Sequence, residues 1–260
     1  MRRVATVVIL AFLLTLTGCT RPTPSSPQDA SRPLTVAAAA DLQSAFAEIG
    51  RKFEERTGQK VVFTFGSSGN LAKQIENGAP IDVFAAANVE YVEGLKNKGL
   101  VIPETVQLYA VGRIVLARNK AAEVDVRTLA GLLDPRVKKI AIANPDHAPY
   151  GLAAKQALIS AGVWDRIQPK LVLGENIRQT LQFVQTGNAE AGIVALSIAG
   201  APEISYTLID DRLHSPLKQA LAVVKSTPDE KSAREFVALV RGPEGRQMMR
   251  KYGFALPEEK

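Results

Sequence analysis

Leu34-Thr35-Val36-Ala37-Ala38-Ala39-Ala40-Asp41-Leu42-Gln43-Ser44-Ala45-Phe46-Ala47-Glu48-Ile49 changes its hydrophobic period part-way through. Leu34 to Ala39 is an unbroken apolar run of strand length, with no polar face to turn to solvent. Such a run suits a strand covered on both sides. From Asp41 the apolar residues Leu42, Ala45, Phe46 and Ile49 recur at helical spacing, so the same stretch reads as a buried strand turning into an amphipathic helix.

The pattern repeats outward from there. Gly58 closes the first helix, and Lys60 to Phe65 alternates as a second strand. Gly66-Ser67-Ser68-Gly69-Asn70 opens a helix that ends at Gly78, Ile81 to Ala86 is a third strand, and a helix runs to about Lys98. A second block follows. Strands are expected at Arg113–Ala117, Lys139–Ala143, Lys170–Leu173, Ala191–Ala195 and Ala220–Val224, and helices at Arg127–Leu133, Tyr150–Ala161 and Ile177–Thr186. Helices at Ala233–Arg241 and Glu244–Tyr252 end the chain. The order predicts an α/β protein of two lobes, each a mostly parallel sheet flanked by helices, with a ligand cleft between them. The architecture repeats; the sequence does not.

Toward the N-terminus, Met1-Arg2-Arg3 precedes an apolar run from Val4 to about Leu16 and then Leu16-Thr17-Gly18-Cys19. A basic start and a short apolar stretch form an export signal, shorter than the ~20 residues a spanning helix needs. Small residues before Cys19 resemble a lipobox, which makes residues 1–18 a lipoprotein signal peptide and Cys19 the lipidated first mature residue. Thr20 to Pro33 holds four prolines and several serines, so residues 19–33 read as a tether. The folded part divides into a first lobe of residues 34–111 and 226–260 and a second of residues 112–225.

Composition narrows the function. Apolar residues form 46% of the 260, ample for a core, and the net charge is +6 without a dense Lys/Arg run. That argues against a nucleic-acid groove and suits a small anionic ligand. One cysteine and two histidines leave little for a metal cage or an internal disulfide.

Four strand-to-helix turns share one feature: Ala40-Asp41, Ser67-Ser68-Gly69, Pro149-Tyr150-Gly151 and Asn176-Ile177. Each offers backbone N–H groups without an intrahelical acceptor at the positive end of a helix. Converging, they would bind an anion without any Lys or Arg, with Ser68 and Ser67 adding hydroxyl donors. His147 reads as a loop hydrogen-bonder, His214 as part of a solvated charged loop with Asp210 and Asp211, and Trp164 as packing. Lys73 and Arg178 read as surface charges.

Over Leu34 to about Pro257 the chain resembles the molybdate-binding proteins of ABC transporters, in the type II periplasmic-binding superfamily. The resemblance is carried by Thr35-Val36-Ala37-Ala38-Ala39-Ala40-Asp41-Leu42, Gly66-Ser67-Ser68-Gly69 with Gln74-Ile75, and Gly78-Ala79-Pro80-Ile81-Asp82-Val83-Phe84. Asn144-Pro145-Asp146-His147-Ala148-Pro149-Tyr150-Gly151-Leu152-Ala153, Gly192-Ile193-Val194 and Lys251-Tyr252-Gly253-Phe254 complete it. It implies a two-lobed binding fold hinged near Ala110–Arg113, with no catalysis and no cofactor. The implied ligand is molybdate or tungstate, held by Ala40 and Asp41 (backbone), Ser67, Ser68, Tyr150 (backbone) and Ile177 (backbone). The implied partners are membrane permease and ATPase subunits, with a monomeric protein anchored through Cys19 and facing the periplasm or cell exterior.

This sequence departs from the family pattern at two positions. Many members have serine where this chain has Asp41, and some have tyrosine where it has Ala195. An ionised carboxylate cannot donate to a dianion and repels it. The expectation is that the Asp41 side chain caps its helix by accepting from the N–H of Gln43 or Ser44 while its backbone N–H faces the ligand. The alternative is that Asp41 accepts the proton of hydrogen phosphate, a proton that sulfate and molybdate lack at neutral pH, which would favour phosphate. Binding of another oxyanion, phosphate or sulfate, is the rival reading. A secreted phosphate-ester hydrolase is the rival from another class, and Ser68 has no evident His partner in the sequence.

Overall fold

The computed structural model describes residues 32–257; the export signal, Cys19 and most of the tether lie outside the described residues. Strands β1 (Leu34–Ala39), β2 (Val61–Gly66) and β3 (Val83–Ala86) alternate with helices α1 (Gln43–Thr57), α2 (Ser68–Glu76) and α3 (Val89–Asn97). Strands β4 (Gln107–Gly112) and β5 (Ile114–Asn119) follow, separated by Arg113 alone. Then come β6 (Ile140–Ala143), α4 (Pro149–Ser160), α5 (Trp164–Ile167), β7 (Leu171–Gly174), α6 (Ile177–Gln185) and β8 (Ala191–Ala195). The chain finishes with β9 (Ile204–Leu208), β10 (Leu217–Val223), α7 (Glu230–Arg241) and α8 (Pro243–Lys251).

Two five-stranded sheets result, ordered β2-β1-β3-β10-β4 and β7-β6-β8-β5-β9. In each, the first three strands are parallel and the other two join antiparallel. The sheets are therefore mixed where the βα order alone suggested mostly parallel pairing. The antiparallel members are the strands at which the chain changes lobe. β4 ends in the first sheet and β5 begins in the second, and β9 lies in the second while β10 returns to the first.

That return corrects one expected boundary. Residues 217–223 pair with β3 and β4 in the first sheet, not with the second lobe to which the limit at residue 225 assigned them. A strand's sequence reports that it is buried, not which neighbour it pairs with. β4 and β9 were not expected as strands; β9 carries Tyr206 and Leu208 half-exposed at a sheet edge, and its pattern is correspondingly weak.

Packing places the turns. β1, β3, β6 and β8 are almost wholly buried, as continuous apolar runs require. An aromatic cluster of Phe46, Phe53, Phe63 and Phe236 locks α1 and α7 onto the first sheet. The Gly78–Asp82 segment ends in a buried fastening: Asp82 accepts from Thr35 N (2.7 Å), Thr227 Oγ1 (2.6 Å) and the Arg32 guanidinium. On the second sheet, α4 starts hard against the end of β6. A Cβ on Gly151 would come within 2.1 Å of the Ala143 carbonyl oxygen, so only glycine lets the helix N-terminus sit there.

Candidate functional site

The four turns meet. Ala40 and Asp41 form a short 3-10 turn after β1, Ser67 and Ser68 begin α2 after β2, Tyr150 is the second residue of α4, and Ile177 is the first of α6. All six line one small cavity between the lobes. Its remaining wall is Ala39, Gly66, Ala87, Ala148 and Pro149, small residues that let backbone approach backbone. Among the described residues no Lys or Arg lines it.

The donors are arranged by local capping. Asn176 Oδ1 accepts from the N–H groups of Arg178 (3.0 Å) and Gln179 (3.1 Å), the second and third residues of α6. That leaves the Ile177 N–H, the first of the helix, without an intrahelical acceptor and beside the cavity. Pro149 starts α4 without an N–H to satisfy, and Tyr150 follows with its own among the first-turn donors. Ser68 is fully buried, and its Oγ accepts from the Ala87 N–H at 2.9 Å, so its proton remains for donation.

Ser67 behaves differently from its neighbour. Its Oγ lies 2.9 Å from His147 Nδ1, and the Gly69 N–H donates to the His147 carbonyl at 3.0 Å. These two bonds join the lobes at the cavity rim, so His147 is the loop hydrogen-bonder expected of it. The histidine beside this turn therefore pairs with Ser67 and leaves Ser68 free.

Asp41 contradicts its expected role. Neither the 3-10 turn nor α1 carries a side-chain cap, and the carboxylate reaches across the cleft instead. Its Oδ2 accepts from Tyr150 Oη (2.9 Å) and Gln219 Nε2 (2.7 Å), while Gln219 Oε1 accepts from Tyr109 Oη at 2.8 Å. Oδ1 has no partner among the described residues. Burial raises the Asp41 pKa to about 6, against the lowering influence of the Gln219 and Tyr150 hydrogen bonds. Burial and the nearby Asp41 hold both tyrosine hydroxyls well above the usual range, so they remain donors. Tyr150 and Gln219 give Oδ2 two side-chain donors, and the carboxylate bonds to them in place of a helix cap.

Sequence reading missed Tyr109, Gln219 and Ser197, whose Oγ donates to the Asp41 carbonyl at 2.9 Å. For Gln219 a signal existed: a polar residue within the apolar run Leu217–Val223, where it is completely buried. Ala195 is buried at the end of β8 and does not line the cavity. His214 is likewise buried, with Nδ1 2.8 Å from the Ser215 carbonyl, not solvated as its charged loop suggested. Lys73 is exposed and paired with Glu76, and Arg178 is exposed. Trp164 packs on the core under Lys155.

Residues 34–255 match the family model described as bacterial extracellular solute-binding protein. The chain belongs to that family. Among its relatives, the molybdate-binding protein ModA of Azotobacter vinelandii is 37% identical over 85% of this chain and 89% of its own. A Bacillus subtilis (strain 168) protein, YvgL, named for an ABC transporter substrate-binding lipoprotein, is 32% identical over 95% of both chains. The solved structure of the Azotobacter vinelandii periplasmic molybdate-binding protein superposes with a TM-score of 0.81 at 31% identity, covering 86% of this chain and all of that one. The two-lobed fold and the extracellular solute-binding role are those of this family.

Proposed function

We propose that this protein captures molybdate, and tungstate with it, in the cavity between its lobes and delivers it to the membrane permease and ATPase subunits of an ABC importer. The observation that carries this reading is the convergence of uncharged donors on a small cavity: Ser68 Oγ and the first-turn N–H groups of Tyr150 and Ile177, with Ala40 and Asp41 opposite. Oriented dipoles and helix N-termini stabilise a dianion without a counter-ion. Fit of the walls around the bound anion sets selectivity against smaller sulfate and against organic anions. The molybdate-binding names of the relatives support the same ligand.

The protein works as a monomer held at a membrane through lipid on Cys19, facing the periplasm or cell exterior, with residues 19–33 as the tether. The lipoprotein name of the Bacillus relative supports that placement. Ligand release follows parting of the lobes at the crossovers around Arg113, which requires the His147 bonds to Ser67 and Gly69 to break.

Calorimetric titration of the compact body that begins at Ser31 with molybdate, tungstate, sulfate, phosphate and a simple carboxylate tests the reading. Tight binding of molybdate and tungstate with silence from the others is expected. Binding of phosphate alone would reverse the ligand assignment and make the Asp41 carboxylate a proton acceptor.

A further inference from the structure

Asp41 stands in an oxyanion cavity as the one ionisable acid among its walls. Its side chain is buried, and both donors that reach it, Tyr150 Oη and Gln219 Nε2, converge on the same oxygen, Oδ2. The other oxygen, Oδ1, is buried with no partner among the described residues. A carboxylate that meets a dianion at hydrogen-bond distance, in surroundings without water, is repelled far more strongly than one hydrogen bond attracts. A carboxylic acid there does the reverse, because Oδ1–H is a donor and Oδ2 remains the acceptor that Tyr150 and Gln219 require.

We propose that Asp41 holds the oxyanion as a neutral acid, donating from Oδ1, so that capture of one dianion is coupled to uptake of one proton from solvent. This rests on the oxyanion-capture reading and adds the residue that sets which oxyanion fits. In the neutral form every polar group facing the ligand is a donor, the condition that favours an oxyanion without protons. In the ionised form Asp41 is an acceptor and favours a ligand that carries a proton.

The surroundings agree. From α4 the cavity sees Tyr150, and from β4 Tyr109 stands behind Gln219 of β10, both phenols staying protonated. Ser197, after β8, donates to the Asp41 carbonyl. Ser67 and His147 are engaged with each other at the rim, and Arg178 of α6 is exposed. On α1, Glu48 is held by Lys251 and Tyr252. Among the described residues no cation contacts Asp41 to keep it ionised, and burial already brings its pKa to about 6 before a dianion is added.

The test is calorimetric titration of the protein with molybdate from about pH 5.5 to about pH 8.5, in paired buffers of low and high ionisation enthalpy. Near pH 8 the buffer dependence should report close to one proton taken up per molybdate. The affinity should fall on the order of 100-fold across the range, tenfold per unit above the pKa of the free protein. Asp41→Asn, which keeps the shape and replaces Oδ1–H by an amide donor, should bind molybdate with no proton uptake and an affinity that no longer follows pH. Molybdate binding by the unmodified protein without proton uptake overturns the inference, and this needs no variant to fold. Uptake that persists in Asp41→Asn overturns it as well. Silence toward molybdate at every pH is a different result and overturns the function reading beneath it.

Discussion

Ser68 and Asp41 face the same cavity from the same lobe, each at a strand-to-helix turn and each almost wholly buried, yet their side chains are used in opposite ways. Ser68 spends its acceptor on the Ala87 N–H of its own lobe and keeps a proton for the ligand. Asp41 spends its acceptor on donors reached across the cleft or along the distant β10. The Ser68 corner is complete within one lobe and presents a donor at any pH. The Asp41 corner is complete only when α4 brings Tyr150 to it, and its character depends on a proton. In an anion site, burial alone does not define a binding residue; what is left over after its protein partners are satisfied does.

The largest effect that sharpens this contrast is on stability. The folded state holds the Asp41 proton more tightly than the unfolded chain does, with a pKa near 6 against 3.8. Stability is therefore lost as pH rises from about 4 to about 6 and stays lost above that. Asp41→Asn should stabilise the ligand-free protein by up to about 3 kcal/mol above pH 6 and change little near pH 4. Denaturant unfolding at the two pH values checks this.

Breaking the other corner comes next. Ser68→Ala removes a hydrogen bond to a charged ligand and leaves the Ala87 N–H buried without its acceptor, so molybdate binding should weaken by roughly 1–3 kcal/mol. Unchanged affinity in a calorimetric titration would take Ser68 out of the site. Tyr150→Phe withdraws one of the two donors from Asp41 Oδ2, at about 1 kcal/mol, and should move the pH transition of stability upward. Ser67→Ala should have the smallest effect, below about 1 kcal/mol on affinity, because that hydroxyl is turned to His147 at the rim. If Ser67→Ala costs as much as Ser68→Ala, the distinction between the two serines fails.

Much of this was legible in the sequence, and for identifiable reasons. Leu34–Ala39 followed by helical spacing from Leu42 placed β1 and α1, and Asn176 in front of Ile177 marked a capped helix whose first N–H would be spare. These are local signals. The polar Gln219 in an apolar strand was visible as an oddity but not as a partner of Asp41, 178 positions away. The same limit put residues 217–223 in the wrong lobe: burial is written along a strand, pairing is not. Asp41 followed its helix-capping propensity on paper and a tertiary network in the fold, because α4 brings Tyr150 close enough to compete.

The central claim, that the junction of the four turns is the oxyanion site, is tested most directly by a crystal structure with molybdate, using the anomalous scattering of molybdenum. The account predicts one strong peak in the cavity, with ligand oxygens in hydrogen-bond reach of Ser68 Oγ and the Ile177 N–H. A peak confined to the surface, such as at the hollow lined by Arg51, Lys52 and Lys251 together with Glu48, Glu55 and Glu244, with none between the lobes, would contradict it.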